Sequence, residues 1–268
     1  MLKSRTENRD TYGADAGLLW DKFVHETVSY GSWGIENLSG IPGTVGAAVV
    51  QNIGAYGAAL SDTVHSVEAY DMQTGAFRHF TPEECAFGYR TSIFKKEPDR
   101  YFITEVAFHL SHTPIPNLSY RDLKNRFGSA ALSLQGIRDA VIEIRKGKFP
   151  RLSEYGTAGS FFLNPIISAD DKDGLAARYP EMPLFILPEG GVKIPLAWIF
   201  DHVLSLKGMR DGKAFVWDKQ ALVIATEPDA TAEEVHALAS TIARMTKEKT
   251  GLTITPEVRF LGAEKKNI

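Results

Sequence analysis

The run GIPGTVGAAVVQNIGAYG at positions 40–57 constrains this chain most, because five glycines and a proline punctuate a largely apolar stretch. Glycine adopts positive φ and lets another backbone or a ligand come close. The run therefore cannot be one unbroken core helix or strand. It reads as a turn, a short helix beginning within Gly43–Val50, and a second turn. Free amides at a helix start favour a pyrophosphate. Neither G-x-G-x-x-G nor a Gly-Lys-Ser/Thr step occurs, so the run is neither a dinucleotide fingerprint nor a P-loop. Two readings stay open: a tight turn with a close-packed helix, or a cradle for a nucleotide or flavin.

Around this run the periodicity alternates between helix and strand. Leu19, Trp20, Phe23, Val24 and Val28 have helical spacing, with Gly31 placed to stop the helix. Val64–Tyr70 and Phe77–Phe80 read as strands joined through Gly75, and 101–110 as a third strand. Residues 1–12 show no period and read as a frayed or extended lead-in. Residues 111–134 read as a long loop with one helical turn. A helix over Gln135–Lys146 opens a second unit, and Ser168 with Asp171 caps a short helix. A hairpin over 183–195 turns at Glu189-Gly190-Gly191. The last helix has a capping box in Thr231 and Glu234, a stripe of Val235, Leu238, Ala239 and Ile242, and a stop at Gly251. A terminal strand over 252–262 follows. Hairpins with separated helices favour α+β over a doubly wound parallel sheet.

At 268 residues, and ~150 per domain, the chain accommodates roughly two domains. Lys plus Arg number 30 against 33 Asp plus Glu, so there is no basic field for a nucleic-acid backbone. No apolar run is long enough to span a membrane, and the polar start is no signal peptide, which points to the cytoplasm. The single cysteine, Cys85, excludes an internal disulfide and a cysteine zinc cage, and reads as a small buried hydrophobe. His109 and His112 lack a third ligand, so no metal is expected.

Three further tracts can carry chemistry. Arg90, in Phe87-Gly88-Tyr89-Arg90, is a solvated loop residue or, beside its aromatic neighbours, a bidentate carboxylate clamp. Ser160, in Ala158-Gly159-Ser160-Phe161-Phe162, is a turn residue or a donor in an apolar cleft. No G-x-S-x-G elbow supports a hydrolase. Glu257 and Arg259 fall on one face of the terminal strand, as a surface ion pair or as a carboxyl group aimed into a site.

Together the blocks GIENLSGIPGTVGAAVVQNIGAYG (34–57), CAFGYRTSIFK (85–95), AGSFFLNP (158–165) and PEVRFLG (256–262) resemble the UDP-N-acetylenolpyruvoylglucosamine reductase family, the flavoenzymes also called UDP-N-acetylmuramate dehydrogenases. Residues 117–123 resemble the type with a tyrosine loop. The resemblance implies the C-terminal part of a vanillyl-alcohol-oxidase-type FAD-binding domain at 1–135, then an α+β substrate-binding domain at 136–268. It implies FAD held by Pro42, Gly43, Thr44, Val45 and Gly46 and by Asn52, Gly54, Ala55, Tyr56 and Gly57, whose amides would meet its phosphates. Arg90, Ser160 and Glu257 match catalytic positions. Tyr120, Lys148, Asn164 and Gln220 match positions holding the UDP-sugar, the first two near its diphosphate. NADPH is the implied reductant and UDP-N-acetylglucosamine enolpyruvate the implied substrate; the chain is expected to be a monomer. Met1 aligns inside the family's flavin domain, past a first glycine-rich loop, so the chain reads as N-terminally truncated. The alternative is a remnant that binds UDP-sugar without flavin or activity.

Overall fold

The computed structural model describes every residue except 1, 7–8, 129–131, 188–189 and 262–268, and the backbone alone of 2, 3 and 5. Glu189 of the expected hairpin turn and Gly262 at the end of the expected last strand lie outside the described residues. The chain divides into two units, Met1–Arg145 and Lys146–Ile268.

In the first unit, β1 (Leu2–Arg5) and β2 (Arg9–Asp15) precede α1 (Trp20–Ser29) and α2 (Val45–Gln51). Two short strands, β3 (Gly54–Ala55) and β4 (Ala58–Ala59), are followed by β5 (Val64–Asp71), β6 (Ala76–Phe80), α3 (Ile93–Lys96) and β7 (Tyr101–Ser111). Helix α4 (Arg121–Phe127) and, as far as Arg145, helix α5 (Leu134–Lys148) complete it. The main sheet is antiparallel in the order β1-β2-β7-β5-β6. Its core joins Tyr12 and Phe108 on the strands to Trp20 and Phe23 on α1 and Val45 and Val49 on α2.

Of the two expectations for residues 1–12, the described residues take the extended one, pairing as β1 and β2. Polar residues dominate this stretch, but the β1–β2 and β2–β7 ladders pair the backbone of the described strands. The buried Asp10 accepts from Tyr12 Oη at 3.0 Å and Ser32 Oγ at 3.2 Å. The boundary also moves from 135/136 to 145/146, because Leu134, Ile137, Ala140 and Val141 of α5 belong to the first core. The expected loop over 111–134 contains α4, whose buried apolar anchor is Leu123. One anchor makes too thin a stripe for periodicity to detect.

The second unit contains β8 (Gly156–Ser160), β9 (Ile166–Ile167), α6 (Ala169–Arg178), β10 (Phe185–Ile186) and β11 (Val192–Lys193). Then come α7 (Leu196–Trp198), β12 (Arg210–Asp211), β13 (Ala214–Val216), β14 (Val223–Thr226) and α8 (Ala232–Thr250). Antiparallel sheets β12-β13-β14-β8 and β10-β11-β9 enclose a core of Phe161, Phe162, Phe200, Val216 and Ile224 with Leu238 and Ile242 of α8. Both halves of the α8 capping box form, with Gly251 left-handed behind it.

Among the described residues no strand forms at 252–261. Burial alternates, with Leu252 and Ile254 inside and Thr253 and Thr255 outside, but only the Phe162–Pro256 bridge pairs. The Phe161 N–H that would lengthen the ladder goes to Leu222 O at 2.9 Å, and Pro165 on the other side has no N–H. The chain bends at Glu257 and Val258, so Glu257 and Arg259 do not share a strand face.

Candidate active site

The glycine tract is built into the first unit from several sides. Thr44 caps α2 by accepting from Ala47 N, and Asn52 ends the helix in the left-handed region at φ 43°. The Val45 and Gly46 amides donate to Leu18 O and Ala16 O, both at 2.9 Å. They are not free donors for a phosphate, contrary to the expectation for this helix start. A Cβ on Gly46 would fall 2.8 Å from Ala16 Cβ, so this glycine serves close packing. Gly43 differs: it has φ +116°, and a Cβ there would meet nothing within 4 Å.

Gly43 and Pro42 border an open cavity of about 640 Å³, which Leu19, Lys22, His25 and Arg138 also line. Asp21 and Ile41 complete the lining, and Asp21 already pairs with Arg138, so Lys22 is the cation that open backbone at Gly43 could share with a pyrophosphate. The residues present fit an FAD at Pro42 and Gly43 better than at Val45 and Gly46.

The second half of the tract binds protein through its carbonyls. Asn37 Nδ2 donates to Tyr56 O and Asn117 O, each at 2.8 Å, and Asn117 Nδ2 donates to Gly57 O at 2.9 Å. Gly54 O accepts from the Arg90 guanidinium at 2.6 Å, and a Cβ on Gly54 would lie 2.9 Å from Arg90 Nη1. A side chain at this position would push the tip of the guanidinium aside and crowd Ala58 O at 3.2 Å. Tyr56, at φ 50°, meets the Tyr120 ring edge-on at 5.1 Å, so the expected cofactor tract touches the tyrosine segment directly. Ala55 pairs with Ala58 across β3 and β4.

Helix α5 fixes the front of the tract. Arg138 makes a two-pronged ion pair with Asp21, at 2.7 and 2.9 Å, and Asp21 Oδ1 accepts from Gly40 N at 2.6 Å. The Arg138 guanidinium holds the Asp21 carboxyl below the usual carboxylate range against the opposing effect of burial, with Gly40 N–H assisting. Arg145 Nε donates to Gly40 O at 3.0 Å. Nothing in local sequence marks Asn37, Asp21, Arg138 or Arg145 as parts of this loop. Asn37 does fall inside the block at 34–57.

In the second unit, Gly159 adopts φ +77° beside an irregular β8–β14 register, and Ser160 follows it opposite Val223. The Glu257 amide donates to Phe161 O at 2.8 Å, which brings the Glu257 backbone against the residue after Ser160. Asn164 Oδ1 accepts from Leu196 N at 2.9 Å, leaving its Nδ2 as the end able to meet a ligand. Gln220 turns the β13–β14 connection, accepting from Val223 N at 3.0 Å. The backbones of Ser160, Asn164, Gln220 and Glu257 therefore lie on segments that meet at the end of β8. Lys148 is the last residue of α5 and belongs to this unit, whereas Arg90 and Tyr120 belong to the first.

Cys85 is buried, and burial with Glu84 and Glu83 pushes its thiol up to about 12, so it is an inert apolar residue. His109 stacks on His65 at 3.8 Å and His112 lies 3.0 Å from Asp10, so the two histidines have different partners.

With this geometry in place, the similarity to known proteins is decisive. The FAD binding domain family matches residues 4–81, and the C-terminal domain of UDP-N-acetylenolpyruvoylglucosamine reductase matches 151–261. A UDP-N-acetylenolpyruvoylglucosamine reductase of Porphyromonas gingivalis is 42% identical over 250 residues, covering 92% of this chain and 73% of the relative. One of Cupriavidus pinatubonensis is 44% identical over 246 residues, covering 91% and 73%. The chain belongs to the UDP-N-acetylenolpyruvoylglucosamine reductase family. The crystal structure of the reductase from Thermus caldophilus superposes with a TM-score of 0.63 at 26% identity, covering 92% of this chain and 71% of that one. The chain is an FAD-dependent oxidoreductase of α+β fold, with a flavin domain followed by the family's C-terminal domain. The flavin-domain match favours this reading over a flavin-free remnant. Among the described residues no helix is long and apolar enough to cross a membrane.

Proposed function

We propose that this chain reduces the enolpyruvyl ether of UDP-N-acetylglucosamine to the lactyl ether of UDP-N-acetylmuramate for peptidoglycan precursor synthesis, oxidising NADPH. Family membership carries the reading, and the grouping of Ser160 and Glu257 around the end of β8 supports it. Bound FAD supplies the hydride that reaches the terminal alkene carbon. Arg90, held at Gly54 O, grips the substrate carboxylate on which negative charge develops. Glu257, in its protonated form, donates to the same carboxylate. Ser160 gives its Oγ proton to the carbon next to the carboxylate, so the alkene gains one hydride and one proton. A hydroxyl is a weak acid, but a carbanion is a far stronger base. Tyr120 and Lys148 hold the diphosphate, and Asn164 Nδ2 and Gln220 hold the remainder of the nucleotide sugar. Pro42 and Gly43, which border the open cavity, would hold the cofactor, together with Thr44 and Asn52–Gly57, which the resemblance assigns to it.

The enzyme acts in the cytoplasm as a monomer, a state that light scattering after size exclusion would check. The functional test titrates FAD into the purified chain and follows NADPH absorbance with and without the enolpyruvyl substrate. Flavin uptake and substrate-dependent oxidation are expected. Binding of the nucleotide sugar with no oxidation in excess FAD would refute the assignment.

A further inference from the structure

Lys95 closes the block CAFGYRTSIFK, yet no role in the reaction has been given to it. Arg90 occupies φ 55°, a left-handed conformation that a side-chain-bearing residue keeps only when its surroundings impose it. It is the third residue of a tight turn in which Thr91 N donates to Gly88 O at 3.2 Å and Gly88 N to Thr91 O at 3.0 Å. Asn52 Nδ2 also donates to Gly88 O, at 2.9 Å, and pins the entry to the turn. The exit is held by Lys95. Its Nζ donates to Arg90 O at 2.9 Å and to Gln51 Oε1, on the last residue of α2, at 2.8 Å. Ser92 seats α3 by accepting from Lys95 N at 3.3 Å and donating to Val50 O at 2.8 Å. The ammonium therefore spans the C-terminal end of α2 and the carbonyl of the strained residue.

We propose that Lys95 is a positioning residue: its charge-assisted hydrogen bond to the Arg90 carbonyl locks the left-handed turn that delivers the Arg90 guanidinium to Gly54. This rests on the role of Arg90 proposed above. Without the ammonium the Arg90 backbone relaxes toward extended conformations, and the guanidinium leaves Gly54 O.

The test uses the full chain loaded with FAD, with Lys95→Met and Lys95→Arg made alone and in the Arg90→Ala background. A lost charge-assisted hydrogen bond corresponds to a fall of about tenfold or more in kcat for Lys95→Met. Flavin reduction by NADPH should remain normal, and Lys95→Arg should recover most of the loss. Amide hydrogen exchange over 88–91 should quicken in Lys95→Met, with or without substrate, and return toward normal in Lys95→Arg. In the Arg90→Ala background Lys95→Met should change kcat less than twofold, because the group it positions is gone. An unaffected kcat in Lys95→Met, beside a slow Arg90→Ala, would overturn the positioning role alone. A full further loss in the Arg90→Ala background would also overturn it. Normal turnover in Arg90→Ala would instead remove Arg90 from the mechanism, and this inference with it.

Discussion

Replacing Asp21 by Ala removes the acceptor for both Arg138 prongs and for Gly40 N. Arg138 is nearly buried, with a side chain 6% exposed, whereas that of Asp21 is 41% exposed. Breaking a fully buried pair costs ~3–5 kcal/mol because a charge is left behind without its partner. Solvent at the Asp21 end lowers this to about 2–3 kcal/mol. For a domain of this size that corresponds to about 5–10 °C in Tm, read by differential scanning calorimetry. Replacing both residues, as Asp21→Leu with Arg138→Leu, leaves no stranded charge and should recover more than half of the loss. The dependence on acidity has a definite sign. Arg138 depresses the Asp21 carboxyl in the folded chain below its unfolded value of ~3.9, so the contribution is complete above about pH 5 and fades as pH falls through 4. The Tm gap between wild type and Asp21→Ala should therefore close on acidification. A variant within about 0.5 kcal/mol of wild type at neutral pH, or a gap independent of pH, would refute the reasoning.

Arg90→Lys keeps the charge but loses the planar fork, so stopped-flow oxidation of the reduced holoenzyme by enolpyruvyl substrate should slow markedly. Ser160→Ala should slow the same half-reaction by ~10²-fold or more, while reduction by NADPH stays near normal. Equal slowing of both halves would mean that Ser160 maintains the site's structure instead. Thr231→Ala removes one half of the α8 capping box, Glu234 N to Thr231 Oγ1 at 3.3 Å, and should cost about 1 kcal/mol in urea unfolding with no effect on cofactor affinity.

What the sequence determined by itself is what neighbouring residues decide among themselves. Helix α8 was legible from Thr231 to Gly251 because cap, stripe and stop all act within a turn or two of chain. The hairpin through Gly75 was equally local. The blocks around Arg90, Ser160 and Glu257 pointed to the family because chains of common descent keep the same residue types in the same order. Tertiary structure decided the rest. Arg90 reaches Gly54 across 36 positions, Asn37 reaches Asn117 across 80, and Arg138 reaches Asp21 across 117. No window of local sequence contains both ends of such a bond. The alternation at 252–255 was real, yet whether it formed a strand depended on a donor at Phe161 already taken and a donor at Pro165 that does not exist. The amides of Val45 and Gly46 looked available to a phosphate until Leu18 and Ala16 occupied them. Periodicity records which side chains are buried; partners for backbone groups are assigned only when distant segments meet.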